Sequence, residues 1–303
     1  MSKVDDRLSQ ARVRVALLVL AVFAVSSAAV LARIAAAPAL ALAAWRTGAG
    51  ALALAPFALR SGVIPARRER VLLIASGVLL AVHFWWWFLS LDHTSVAASA
   101  VLVSMSPVVV GAGAAWLLGE PPSRRTWFGL VLTVVGAVVI VADDVGGASG
   151  RALLGDGLAL AAALAMAGYL LAGRRARRTL PVSVYATWTY GIAALVLTVV
   201  ALVSGASLGF VQPFDRVTWL AIAALVVGPQ LLGHTVFNLV LGRASATVVA
   251  VVIIAEPVGA TVLAAIVLGE APDGWFYLGA PLVLVGVLLA ATPARRRDRA
   301  VTR

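Results

Sequence analysis

The sequence contains no cysteine, which removes disulfides, thiolate metal sites and cysteine nucleophiles together. Charge is almost as scarce. Asp, Glu, Lys and Arg make up 12% of the 303 residues against 62% hydrophobic ones, with a mean hydropathy of +1.02, so too few polar side chains exist to coat a soluble domain of this size. Acids are the rarer sign, thirteen against twenty-four bases, for a net charge of +11. A pI near 11.5 would suit nucleic acid if the bases formed a stripe, but they fall in the gaps between hydrophobic runs, which is the signature of membrane topology. The expected environment is the lipid bilayer. No nucleic-acid partner, separate soluble domain, cofactor or metal site is expected.

Against this background a few polar residues inside apolar runs stand out. Ala255-Glu256-Pro257-Val258-Gly259-Ala260 places an acid and a proline where lipid tolerates neither without a reason, and it continues to Leu268-Gly269-Glu270. The same frame occurs 150 residues earlier as Ser106-Pro107-Val108 and Leu118-Gly119-Glu120. Leu89 and Leu239, Ser95 and Ser245, Ala114 and Ala264, Pro122 and Pro272, Gly129 and Gly279, and Gly136 and Gly286 keep that offset without a gap. The chain contains two copies of one unit.

Hydrophobic runs at 15–34, 39–59, 71–91, 96–118 and 126–142 make up the first copy, and runs at 158–173, 182–203, 217–241, 247–268 and 275–291 the second. Each approaches the ~20 residues a helix needs to cross the hydrocarbon core. The fold expected is an all-α membrane protein of ten transmembrane helices: a tail at 1–14, a five-helix repeat at 15–142, a linker at 143–157, a second repeat at 158–291 and a basic tail at 292–303. The basic start and small residues near 27–29 also suit a cleaved signal, but the run is long enough to span and has a counterpart in the second copy, which favours a retained helix. Of the Lys and Arg, twenty lie in alternate gaps on one side and three, Arg33, Arg151 and Arg216, on the other. Both termini are therefore expected to be cytoplasmic, in the inner membrane. Because five is odd, the second copy enters from the opposite face, and an inverted-topology repeat is an architecture of secondary transporters that rock about a midplane site.

Chemistry is expected where polarity concentrates. Gln230, His234 and Asn238 recur every four residues, a stripe about 80° wide at helical period. His83 and Trp87 share a face of the third span; Trp45 and Arg46 lie in the second, Ser104 and Ser106 in the fourth, and Tyr185, Trp188 and Tyr190 in the seventh. Glu256 is the leading candidate, since a mid-membrane acid costs roughly 2.5–3.5 kcal/mol on insertion scales; the alternative is a cap on the half-helix that begins at Pro257. Arg46 lies roughly 10 Å from its span end at helical rise, so it either faces a cavity or snorkels outward. Gln230 and His234 can equally be hydrogen-bonded joints between helices. Pro107 and Pro257 are expected to kink their helices. Glu120 and Glu270 read as helix ends with interfacial carboxylates. The fifth and tenth spans carry no site; Gly129 with Gly136, and Gly279 with Gly286, permit close approach on faces left to lipid or to a second copy in a homodimer.

The paired strings SPVVVGAGAAWLLGE and EPVGATVLAAIVLGE, with the two five-span copies, resemble the EamA-like family of the drug/metabolite transporter superfamily, and the resemblance covers about residues 15–292. It implies a central cavity between helices one to four and six to nine, with five and ten outside, and export or exchange of amino acids, other metabolites or amphipathic drugs. Because Ser106 stands where the second copy has Glu256, any carboxylate mechanism here is asymmetric. The resulting expectation is an exporter of a small metabolite, proton-coupled through Glu256, with Arg46, His83, Gln230, His234, Asn238, Trp87 and Trp188 as substrate contacts. Alternatives are a non-transporting membrane partner or sensor, and an intramembrane enzyme, for which no His-Glu-x-x-His and no cluster of acids is present.

Overall fold

Lipid offers the backbone no hydrogen-bond partners, so a chain this apolar must satisfy its peptide groups within each segment. In the computed structural model the described residues, 3–140, 150–211, 213–270 and 274–291, do so as helices joined by short turns. We number them by hydrophobic run. α1 comprises Lys3–Ser26 and Ala28–Ala35, α2 is Ala39–Arg60 and α3 is Arg67–Leu91. α4 comprises Val96–Val103, Ser106–Gly113 and a π turn at Ala114–Leu118, and α5 is Arg124–Ile140. α6 is Gly150–Ala176 and α7 is Val182–Ser204. α8 comprises Arg216–Leu225, a π segment Val226–His234 and Thr235–Leu241. α9 comprises Ala246–Ile253 and Glu256–Leu268, and α10 is Gly274–Ala291. Among the described residues eight helices are long and apolar enough to cross a membrane, all but α5 and α10. The protein is a multi-pass membrane protein.

Helix reaches back to Lys3, into the segment expected as a polar tail. Residues 143–149 of the expected linker, Pro272 of the repeat frame and the basic tail 292–303 lie outside the described residues.

The 150-residue frame has a local physical meaning. Ser95 starts α4 by accepting the Ala98 N–H at 3.0 Å, and Ser245 starts α9 by accepting the Val248 N–H at 3.3 Å; each supplies an oxygen to an otherwise orphaned amide. Twelve residues before the glycine of the shared Gly-Glu pair of each copy, Pro107 and Pro257 sit in the first turn of a second half-helix, where the missing N–H is harmless. The helices are interrupted just upstream, at Ser104 and Met105 and at Ile254 and Ala255. Gly119 and Gly269 then adopt φ of +65° and +72°, the left-handed conformation that ends a helix. The amides of Glu120 and Glu270 close back onto the carbonyls of Ala114 and Ala264.

Packing pairs the copies. α3 lies along α6 and α1 along α8, while α2 meets α7, α4 meets α9 and α5 meets α10. A second apolar cluster, including Leu130, Ala137, Phe276 and Val283, holds α5 and α10 together apart from the main core. Here the glycine faces find their partner. A Cβ on Gly129 would come within 2.6 Å of the Gly286 carbonyl oxygen, and one on Gly136 within 2.7 Å of the Gly279 oxygen. The close approach expected of these glycines is thus made between α5 and α10 within the chain, because two apolar helices without side chains at the crossing approach most closely there. A homodimer would have to use the opposite faces, where Val131, Val135, Val138, Leu284 and Leu288 are exposed.

Candidate functional site

The four helices with broken or widened backbone among the described residues, α1, α4, α8 and α9, all contribute to one small cavity. It is lined by Ser104 and Ser106 of α4, His234 of α8 and Glu256 of α9, together with Arg46 of α2, His83 and Trp87 of α3, and Val25 and Ala28 of α1. Its volume is about 20 Å³, room for about one water. Backbone irregularity at membrane depth is tolerated where it lines a cavity, and a π segment is a common device for turning side chains toward a site. Pro229 inside that segment cannot donate to the helical ladder, which promotes the wider turn.

Arg46 is fully buried. Its Nε donates to Gln230 Oε1 at 2.7 Å, and its Cζ stands 4.1 Å from the Phe84 ring centroid and 5.9 Å from that of Phe88. One polar bond and one aromatic face therefore hold the guanidinium, while Nη1 and Nη2 have no hydrogen-bond partner among the described residues. Glu256 opens the second half of α9 and is 9% exposed. Its carboxylate takes part in no ion pair or hydrogen bond among the described residues, although it faces the same cavity as Arg46. Ser26 Oγ reaches the Glu256 backbone oxygen at 3.2 Å. A Cβ on Gly259 would strike the same serine, so α1 is pressed against the break in α9.

The histidines are packed against each other. His83 Nδ1 lies 3.1 Å from the Ala162 carbonyl; a carbonyl only accepts, so Nδ1 carries the proton. The ring lies parallel to Trp87 at 6.2 Å and its centroid is 6.4 Å from that of His234.

The two ends of the bundle differ. On the face where α4 and α6 end, Glu120 is bridged by Arg174 Nη2 at 2.8 Å and Arg178 Nη2 at 3.0 Å. Arg174 Nη1 also donates to the Leu241 carbonyl at 2.9 Å and Arg178 to that of Leu118 at 3.0 Å. This cluster ties α4, α6 and α8 together. Partial burial alone would raise the Glu120 pKa, but hydrogen bonds from the two arginines outweigh it and hold the carboxyl below the usual range. Glu270, its counterpart, is exposed and has no ion pair among the described residues. On the opposite face a vestibule of about 460 Å³ is lined by Arg33, Leu42, Phe88, Leu91 and Asp92 among others. Phe88 stands between this vestibule and Arg46.

A family model described as the EamA-like transporter family matches residues 13–142 and again 153–292. The chain belongs to the EamA-like transporter family. An uncharacterized transporter of Archaeoglobus fulgidus is 28% identical to this transporter over 222 residues, 72% of this chain and 73% of that protein. The aromatic amino acid exporter YddG of Ancylobacter novellus is 27% identical over 222 residues, 73% of this chain and 75% of its own. The pseudopaline exporter CntI of Pseudomonas aeruginosa is 30% identical over 97 residues, 32% of this chain and 34% of that protein. A crystal structure of 22% identity superposes with a TM-score of 0.73 over 91% of this chain and 96% of the other, a likeness of fold. Family and relatives alike indicate a transporter.

The sequence candidates separate in this EamA-like transporter as follows. Arg46, His83, Trp87, His234 and Glu256 line one cavity. Burial of Arg46 rules out the snorkelling alternative, and the Glu256 side chain, which stands in the first turn of its half-helix, accepts no amide hydrogen bond among the described residues. Gln230 lies behind Arg46 and orients it. Asn238 is elsewhere: its Oδ1 accepts from Tyr169 at 2.8 Å and its Nδ2 donates to Tyr190 at 3.1 Å, a joint between α6, α7 and α8. The polar stripe of α8 is divided because the π segment changes the angular step between Gln230, His234 and Asn238. Trp188 does not reach the site; it is 48% exposed on the outer face of α7 while Tyr185 and Tyr190 are buried. Three aromatics within six residues cannot share one helical face. Val25, Ala28 and Met166 also line the cavity and were not singled out, since apolar residues in apolar helices carry no signal. A Gly-x-Ser-x-Gly string does occur, at Gly205-Ala206-Ser207-Leu208-Gly209. It has the spacing of a serine-hydrolase elbow, but it follows α7 in a loop where that motif needs a strand-to-helix turn, and Ser207 accepts from its own Gly209 amide.

Proposed function

We propose that the chain is an inner-membrane secondary exporter of a small metabolite, working by alternating access between two inverted five-span repeats with both termini cytoplasmic. The observation that carries this reading is the cavity lined by one buried arginine and one buried acid that form no ion pair. A purely structural role would be better served by joining them or by replacing both with apolar groups. Support for the inversion is the exchange of neighbours between copies: α3 on α6 is repeated as α8 on α1, and the self-related pairs α2 with α7, α4 with α9 and α5 with α10 lie on the dividing axis. With α5 and α10 counted as spans, each repeat crosses five times, and the twenty-to-three division of Lys and Arg supports a cytoplasmic position for the Glu120 cluster.

On this reading, the form described is occluded. Phe88 closes the cavity toward the external vestibule, and the ion pairs of Glu120 close it toward the cytoplasm. A proton arriving from outside binds Glu256, a polar substrate group held in the cavity is released, and the proton enters as the repeats rock; binding and release thereby couple to the proton's passage. The small-molecule exporters among the relatives agree with this direction of transport. Two measurements test the proposal. In everted vesicles, uptake of a substrate found in a metabolite screen is expected to rise when a pH gradient is imposed, and equal rates with and without it remove the proton. Reporter fusions at Ile64 and Arg177 are expected on the same face and one at Asp92 on the other; Ile64 and Arg177 on different faces would end the inverted-repeat reading.

A further inference from the structure

Beyond the exporter reading, we infer that the turn between α2 and α3 is a binding site for anionic phospholipid, in which Ile64 enters the apolar layer while Arg60, Arg67, Arg68 and Arg70 take the phosphate headgroups. α2 ends at Arg60 and α3 begins at Arg67, so the turn is too short to leave the membrane surface. Its shape is set locally. Gly62 reverses the chain at a φ of +64°, where a side chain would be strained. The Glu69 carboxylate accepts the Ala66 amide at 2.7 Å and the Thr179 hydroxyl at 2.6 Å, which fastens the start of α3 to the loop after α6. Pro65 is buried, while Ile64 beside it is 90% exposed and Val63 40%. An isoleucine held outward on a fixed turn is costly in water and favourable at the edge of the acyl layer.

Charge then selects the lipid. Residues 60–70 hold four arginines and one acid, and both oxygens of that acid are already engaged. All four arginines are exposed, and none makes an ion pair among the described residues. A guanidinium meets a phosphate through two parallel hydrogen bonds, and each basic residue just outside a span adds to the attraction of anionic headgroups. A zwitterionic headgroup brings a cation with its phosphate and forfeits most of this gain. The turn after α7, at the other end of the bundle, supplies the contrast. Phe210 and Val211 are 70% and 94% exposed there, but the one base up to the start of α8 is Arg216, with Asp215 beside it. An apolar tip alone seats a turn on any bilayer; the arginines around Ile64 make the contact selective. The same tip argues for a lipid over a free phosphate, which has no use for Ile64.

The test uses detergent-purified full-length protein and three probes at matched concentrations: dioctanoyl phosphatidylglycerol, dioctanoyl phosphatidylcholine and glycerol 3-phosphate. Binding to the folded protein raises the thermal midpoint by mass action, so titration gives relative affinities. Phosphatidylglycerol is expected to bind on the order of tenfold more tightly than phosphatidylcholine, with the difference shrinking at high salt, and glycerol 3-phosphate to have no effect. Arg67→Gln combined with Arg68→Gln is expected to remove most of that preference. Arg124→Gln combined with Arg125→Gln, which alters two exposed arginines of another turn, is expected to keep it. Ile64→Asn is expected to weaken both lipids on the order of tenfold and to preserve their ratio. Every altered side chain is exposed, so the variants are expected to fold as the parent does. No response to either lipid, equal affinity for the two, or a preference untouched by the 67 and 68 substitutions overturns the site. An equal loss in the 124 and 125 variant would mean diffuse attraction by the whole face and overturns it as well. Stabilisation by glycerol 3-phosphate equal to that by phosphatidylglycerol would replace the lipid with a soluble anion. The exporter reading is decided separately, by flux.

Discussion

Glu256→Gln is expected to lower gradient-driven flux by up to about 100-fold while leaving the protein folded, since coupling free energies of about 1–3 kcal/mol correspond to about 5–150-fold. Glutamine has nearly the volume of glutamate and keeps its polarity, but it never ionises. The site tolerates the exchange structurally because the carboxylate engages no protein donor and the Ser26 bond goes to the backbone oxygen of Glu256. Removing a buried charge should even raise the thermal midpoint slightly. The measurement is uptake into everted vesicles with and without an imposed pH gradient, beside exchange of labelled for unlabelled substrate at equal pH. Loss of the first with retention of the second identifies Glu256 as the proton site. An unchanged gradient response removes it from that role.

The largest effect on stability is expected at the crossing of α5 and α10. In Gly286→Ala the new methyl would meet the side chain of Thr133, and the Gly129 carbonyl oxygen would be 2.6 Å from its carbon. Backbone cannot give way as a side-chain tip can, so the helices must separate along the crossing. Overpacking typically costs about 1–3 kcal/mol, occasionally more, and the upper end applies because the reciprocal Gly129 and Gly136 contacts loosen together. Gly286→Ala should therefore lower the unfolding midpoint in detergent by several degrees, while Gly157→Ala, which faces open space within α6, should be neutral or mildly stabilising. Equal midpoints for the two variants would show that the crossing contributes little to stability.

Much of this architecture is legible in the sequence because lipid allows few solutions. Hydrophobic runs locate the helices, although α1 begins at Lys3 in the expected tail and α6 at Gly150 in the expected linker, and the 150-residue frame locates the serine caps, the interrupted helices and the left-handed glycines, each of which depends on local chemistry. The site is less legible because it depends on which faces meet. Arg46 was equally compatible with a cavity and with the interface; only the bond to Gln230 and the ring of Phe84 decide. Asn238 and His234 share a helical face by count, yet a π segment built around Pro229 directs one to two tyrosines and the other to the cavity. Trp188 shows the same limit, since aromaticity marks either a lining or a lipid-facing surface. The glycines of α5 and α10 announced close approach without naming the partner.

Among the described residues the clamp on Glu120 has no twin at Glu270, and this inequality bears on how a carrier is driven. Such a latch alters how readily one gate opens, and with it the half-saturating concentration and turnover measured from each side. It leaves the equilibrium distribution of solute untouched, because every step runs in both directions around a closed cycle. A one-sided clasp therefore sets the pace of transport and the side on which the empty carrier waits, while the gradients across the bilayer alone set the direction of net flow.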